Sequence, residues 1–199
     1  MRIHPLSDLH LEFHKNTRFE AGDRDRPAPE NAWGPQDIDV LIAAGDIHLG
    51  TLAPGWLRAL YRAERILYVP GNHEYYGERI DQLDDRLRAE GRRHEVDFLQ
   101  GDTVEIDGVV FLGCTLWTNF AAFAPVVPVS KAGRMAEDAL ADCSLVEIMS
   151  QSKGAPRRIT WRDTAAIHQR QLAWLESEIA RHRGRPLVII THHAPSLAL

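Results

Sequence analysis

Apolar residues in this chain gather into short runs of strand length, and four of them give way within two or three residues to Asp, Asn or His. Residues 40–44 are apolar at every position and give way to Gly45-Asp46-Ile47-His48. A run apolar on both faces predicts a central strand covered on each side. The same transition recurs three times. Residues 2–6 lead to Ser7-Asp8-Leu9-His10, residues 66–69 to Pro70-Gly71-Asn72-His73-Glu74, and residues 187–190 to Thr191-His192-His193. Open α/β sheets place their ligands at the carboxyl edge of the strands. Four strands with such endings would therefore aim oxygen and nitrogen donors at one place.

Between these runs the periodicity is helical. Residues 56–63 predict a short amphipathic helix. Residues 75–93, with Ile80, Leu83 and Leu87 three and four apart, predict a surface helix packed on a sheet. Residues 159–183 predict the longest helix, with His168, Leu172, Leu175 and Ile179 as its inward stripe, stopped by Gly184 and by Pro186 just beyond. Residues 103–106 and 109–112 are strand-like and flank Asp107-Gly108, a hairpin signal because that turn needs positive φ at its centre. A parallel βαβ half joined to an antiparallel hairpin implies a mixed sheet, or two stacked sheets with outer helices.

Two stretches break the pattern. Residues 14–37 carry charge, Pro and Gly with no apolar period and read as a surface loop at the rim of the site. Residues 118–158, broken by Pro125 and Pro128, read as an insertion that covers the site, with residues 132–149 helical.

The strand ends carry the candidate chemistry. Asp8 and His10 are two apart and on a regular strand share one face, so both can reach one cation. Asp46 can use its two carboxylate oxygens to bridge two metals, Asn72 offers a neutral carbonyl oxygen, and His192 an imidazole. Mixed carboxylate and imidazole ligation suits Mn, Fe, Zn or Ni, and thiolate is absent. Each cluster alone has a plainer reading: Gly-Asp as a turn, Asn72 as a helix cap, two histidines as a polar strand exit. Their conjunction in one domain is what points to a metal centre.

Ser-Asp-Leu-His (7–10), Ala-Gly-Asp-Ile (44–47), Gly-Asn-His-Glu (71–74) and Thr-His-His-Ala-Pro (191–195) resemble, in order and spacing, the successive motifs of the calcineurin-like metallophosphoesterase family. The resemblance runs from residue 1 to residue 195. It implies a four-layer α/β/β/α sandwich of two mixed β-sheets flanked by helices, with a dinuclear metal centre at the carboxyl ends of the strands. It assigns Asp8 and His10 to the first metal, Asp46 to both, and Asn72 and His192 to the second. His73 takes an outer-sphere role, binding phosphate and protonating the leaving oxygen, as imidazole can near neutral pH. The implied reaction is in-line attack of a metal-bridging hydroxide on a phosphomonoester or phosphodiester. The family pattern continues with Gly-His-x-His, whereas the sequence reaches Leu199 without it. The expectation is a truncated version, or one with reduced metal occupancy and activity, in which His48 or His193 could substitute. The plainer reading has His48 lining the substrate rim and His193 packing locally.

Other residues are weaker candidates. His4, His14 and His168 read as structural. Tyr75 or Tyr76 could face substrate, Trp117 and Asn119 could shape the pocket, and the basic cluster of residues 153–162 could steer a phosphate or simply open a solvated helix.

Composition narrows the classes. The 199 residues fit one domain, expected to span residues 1–199, and 44% hydrophobic with 26% charged residues is ordinary for a globular protein. The net charge of -5 argues against nucleic acid and anionic membranes as partners, although bound metal would reverse the local sign for a phosphate-ester substrate. Cys114 and Cys143 read as free thiols in a reducing compartment. No leader pattern and no apolar run near the ~20 residues of a membrane span is visible, so a cytoplasmic location is expected. Two other readings stand beside the hydrolase: a nuclease using the same site, and a catalytically idle domain acting as a binding or regulatory module.

Overall fold

The computed structural model describes residues 1–13, 38–124, 126–152 and 154–195; the expected rim loop of residues 14–37, His14 and Lys153 lie outside them. In chain order the elements are β1 (Ile3–Leu6), β2 (Ile38–Ala44), α1 (Ala53–Leu60), β3 (Ala63–Val69), α2 (Ile80–Arg93), β4 (Asp97–Phe98) and β5 (Asp102–Ile106). There follow β6 (Val109–Cys114), α3 (Val129–Ala139), α4 (Asp142–Leu145), β7 (Glu147–Met149), β8 (Pro156–Arg158), α5 (Trp161–Arg181) and β9 (Leu187–Thr191).

The first sheet has the order β1-β2-β3-β4 and every pairing in it is parallel. The second, β5-β6-β9, is mixed: the β5–β6 hairpin is antiparallel, and β9 joins β6 in parallel. A two-stranded antiparallel ribbon, β7-β8, stands apart.

The alternation of side chains along a strand explains why residues 40–44 must all be apolar. Val40 and Ile42, together with Leu67 and Val69 of β3, face the second sheet, where they meet Phe111 and Ile190. Leu41 and Ala43 face the other way, onto Trp56 and Leu57 of α1 and Leu83 and Leu87 of α2. On the far side of the second sheet Val110 and Leu112 pack against Leu175 of α5. Three apolar layers thus separate four structural ones, giving the α/β/β/α sandwich. Each fully buried Leu or Ile contributes roughly 1.5–3 kcal/mol.

Several boundaries differ from the sequence reading. The first helix starts at Ala53 rather than residue 56, because Pro54 suits a first helical turn. Before α2 a separate 3-10 turn, His73–Tyr75, carries the Gly-Asn-His-Glu motif. The expected helix over 132–149 stops at Ala139. The chain resumes briefly as α4 and then becomes β7, because residues 147–149 find strand partners in residues 156–158. On α5 Leu175 of the expected inward stripe is buried, but at the next turn Glu178, not Ile179, is buried, and its carboxylate accepts from Thr103 Oγ1 at 3.2 Å. Among the described residues no helix is long and apolar enough to cross a membrane.

Candidate metal centre

The site begins where β1 and β2 end. Their parallel pairing continues past the strands as a backbone ladder: Asp8 N–H donates to the Gly45 carbonyl, His10 N–H to Asp46 and Leu11 N–H to Ile47, each at 3.0 Å. The buried side chains of Leu11 and Ile47 pin that ladder from below. Its consequence is a left-handed backbone at Asp8, His10 and Asp46, with φ of 56°, 45° and 55°. For residues with a Cβ that conformation costs on the order of 1–2 kcal/mol each. Tertiary contacts hold it, and strain of this kind clusters at functional sites.

Two glycines make room for the donors. A Cβ on Gly71 would lie 2.1 Å from Asp46 Oδ1, and one on Gly45, itself at φ +90°, would lie 2.4 Å from the His192 ring. Beneath them the fully buried Glu74 carboxylate accepts three backbone N–H groups, from Gly71 (2.7 Å), Ile47 (2.8 Å) and Asp46 (3.1 Å). Burial and the nearby Asp46 charge push the Glu74 carboxyl above the usual range, and those backbone donors oppose them.

Around Asp46 the candidate donors converge. Its Oδ2 lies 3.8 Å from His10 Nε2 and 3.9 Å from His73 Nε2, and its Oδ1 lies 3.5 Å from His192 Nε2. Asp8 Oδ1 is 3.9 Å from His10 Nε2, and Asp8, His10 and Asp46 offer ligand atoms all within 4.8 Å of one another. Asn72 Oδ1 lies 3.1 Å from His192 Nε2. All six residues singled out from the sequence, Asp8, His10, Asp46, Asn72, His73 and His192, therefore meet at one edge.

The donor set fits divalent cations. Asp46 is 4% exposed, and among the described residues its ion-pair partners are histidines, with no Lys or Arg. A buried carboxylate so placed calls for a cation. The facing pair His192 and Asn72 says the same. His192 Nδ1 sits 2.9 Å from the Ala44 carbonyl, which takes its proton and leaves a bare lone pair on Nε2. The Asn72 amide nitrogen is committed to Asp142 Oδ1 at 2.8 Å and the Tyr76 hydroxyl at 3.0 Å, so the atom turned to His192 is the amide oxygen. Two acceptors 3.1 Å apart gain nothing from each other, and a shared cation would satisfy both.

Three residues outside the sequence reading support this arrangement. Glu74 was visible in its motif but carried no assigned role. Asp142 comes from α4, 70 residues beyond Asn72, and also accepts from the Tyr76 hydroxyl at 2.8 Å. Burial, followed by the Asp142 carboxylate, pushes the Tyr76 phenol up, which keeps it a donor. Glu12, in the 3-10 turn Leu11–Phe13, lies beside His10 and His73. The only signal for it was an acid two residues after the Asp-x-His pair.

His48 Nδ1 accepts from Leu49 N–H at 2.7 Å and its ring packs near Trp56, outside the convergent group. His193 packs locally, stacked on Trp117 at 5.6 Å, with burial holding its pKa down. His168 sits against the Trp117 carbonyl, and His4 lies near Tyr61. Trp117 is itself buried, and Asn119 caps the Ala121 N–H. Tyr75 is buried, donating to Asp84 at 2.6 Å, whereas Tyr76 lies against His73 with ring centroids 4.3 Å apart. In the basic cluster Arg157 pairs with Asp163 and Arg158 with Glu147, as a solvated helix start requires. Both cysteines are free thiols, pushed up to about 11 by burial.

The family model for calcineurin-like phosphoesterases matches residues 1–198. An uncharacterized protein of Acanthamoeba polyphaga mimivirus is 27% identical over 205 residues, covering 96% of this chain and 66% of that protein. Among solved structures, a phosphopantetheinyl hydrolase from Mycobacterium tuberculosis shares the fold with a TM-score of 0.65. It is 18% identical, and the match covers 97% of this chain and 68% of the other. This chain thus spans about two thirds of the length of each.

Proposed function

The chain belongs to the calcineurin-like phosphoesterase family, and from that premise we propose that it hydrolyses a phosphomonoester or phosphodiester with two divalent transition-metal ions. Asp8 and His10 would hold one ion, Asn72 and His192 the other, and Asp46 both. The observation that carries this reading is the division of labour on Asp46: Oδ2 faces His10 and His73, and Oδ1 faces His192.

Divalent ions bound there supply Lewis-acid polarisation of phosphoryl oxygens and a nucleophile available at neutral pH. The protein's own groups do the rest. Asp46 presents both oxygens because its backbone is held by Glu74 and its Oδ1 is fixed by the His73 N–H at 2.9 Å. His192 presents Nε2 because Ala44 occupies Nδ1. Asn72 presents its oxygen because Asp142 and Tyr76 hold its nitrogen. His73 turns Nε2 toward the same centre and serves as the proton donor to the leaving oxygen.

Hydrolysis of p-nitrophenyl phosphate and of bis(p-nitrophenyl) phosphate with added Mn²⁺ tests the proposal. Turnover of either ester, abolished by chelator and lowered on the order of 10³-fold by Asp46→Asn, supports it. No turnover of either by the unaltered chain at any Mn²⁺ concentration overturns it in favour of a non-catalytic module.

A further inference from the structure

One carboxylate stands outside the proposed ligand set yet touches two members of the site. Glu12 Oε1 lies 3.2 Å from His10 Nδ1 and 3.0 Å from His73 Nδ1. The two rings come from different strand exits, 4.4 Å apart and inclined at 68°, and turn their other nitrogens to the same Asp46 oxygen. The figure is closed, with Glu12 Oε1 at one end, Asp46 Oδ2 at the other, and an imidazole along each side. Glu12 is held there by the turn that follows the backbone ladder, and its side chain is 8% exposed. Its second oxygen, Oε2, is buried with no hydrogen-bond partner among the described residues. A buried acceptor left unpaired destabilises a fold, so its retention calls for an explanation beyond packing.

We infer that Glu12 is a positioning residue that sets the tautomer and orientation of His10 and His73 together, through one oxygen that receives the Nδ1–H of both rings. An ionised carboxylate only accepts, so each ring must place its proton on Nδ1. Each neutral ring then turns a bare Nε2 toward Asp46. For His10 that is the nitrogen a cation needs, and a hydrogen bond to the opposite nitrogen both fixes the ring and raises its basicity. For His73 it is the nitrogen that must take up and release a proton at the centre. A single acid therefore couples a candidate ligand to the candidate proton donor. The inference deepens the proposed function and rests on it for the roles of the two histidines, while the tautomers are a property of the chain itself.

The test compares the unaltered chain with E12A and E12Q by two measurements independent of turnover. Long-range ¹H–¹⁵N NMR of the histidine side chains in the metal-free protein is expected to show both His10 and His73 as Nδ1–H tautomers, reverting toward Nε2–H in E12A. Calorimetric titration with Mn²⁺ is expected to show affinity about 10–100-fold weaker in E12A. E12Q, which keeps the shape and an acceptor oxygen but not the charge, is expected to fall between and decides the matter if E12A does not fold. An Nε2–H tautomer at either histidine in the unaltered chain overturns the inference, as does unchanged Mn²⁺ affinity in both variants. Tautomer and affinity shifts in a chain that hydrolyses no phosphate ester would sustain the role of Glu12 while overturning the proposed function.

Discussion

Two regions of this molecule use left-handed backbone, for opposite reasons. In the β5–β6 hairpin Asp107 and Gly108 have φ of 49° and 79°, and a Cβ on Gly108 would meet nothing within 4 Å. There the turn is dictated by the two residues that make it. At the strand exits Asp8, His10 and Asp46 have nearly the same φ, yet the adjoining Gly45 and Gly71 are walled in by His192 and Asp46. That conformation is imposed from outside, by the ladder between two chain segments and by the Glu74 carboxylate below. A turn encoded locally tolerates change in its side chains. A turn imposed by tertiary contacts passes any disturbance to the groups it aims.

The sharpest test of that contrast is Gly71→Ala. The added methyl collides with Asp46, backbone included, so about a 100-fold fall in metal-dependent turnover is expected from displacement of the carboxylate. A destabilisation of roughly 1–3 kcal/mol in urea should accompany it. Unchanged turnover in a folded Gly71→Ala would break the comparison. Next in size is Asp142→Ala, which frees the Asn72 amide to rotate. About tenfold weaker Mn²⁺ binding is expected, partly restored by Asp142→Asn, which keeps an acceptor. Gly108→Ala should destabilise by about 1–2 kcal/mol through φ alone and leave turnover untouched.

The smallest effect is expected at another locally encoded feature, the capping box of α5, where Thr160 and Asp163 exchange hydrogen bonds with each other's backbone. Burial pushes the Asp163 carboxyl up, but hydrogen bonds from Arg157 and Thr160 outweigh it and hold the group down at about 2. A carboxyl lowered on folding stabilises above its unfolded pKa of 3.8 and loses that stabilisation as pH falls toward 2. Asp163→Ala should therefore cost about 1 kcal/mol at pH 7. The gap from the unaltered chain, followed by thermal unfolding, should close between pH 4 and pH 2 without any change in metal binding.

How much was legible follows the same division. β1, β2, β3 and β9, the hairpin and the long helix could be read because each rests on a short apolar run, a period of 3.6 or turn chemistry carried by neighbouring residues, whereas β4, two residues long, carries no such signal. The helix expected over 132–149 ends at Ala139, and residues 147–149 instead pair as a strand with residues 156–158, overriding helical spacing there. Ile179 lost its place on the inward stripe to Glu178, whose carboxylate found Thr103 on β5, a partner invisible from within the helix.

The candidate site divides likewise. By itself the sequence determined that Asp8, His10, Asp46, Asn72, His73 and His192 stand where strands give out, because short apolar runs and abrupt polar endings are local properties. Only the tertiary structure decided which nitrogen of each ring faces Asp46, that Asp142 turns the Asn72 amide, and that His48 and His193 stay outside the cluster. Those outcomes depend on the register between strands and on loops brought together from far apart along the chain, and no periodicity within a segment carries that information.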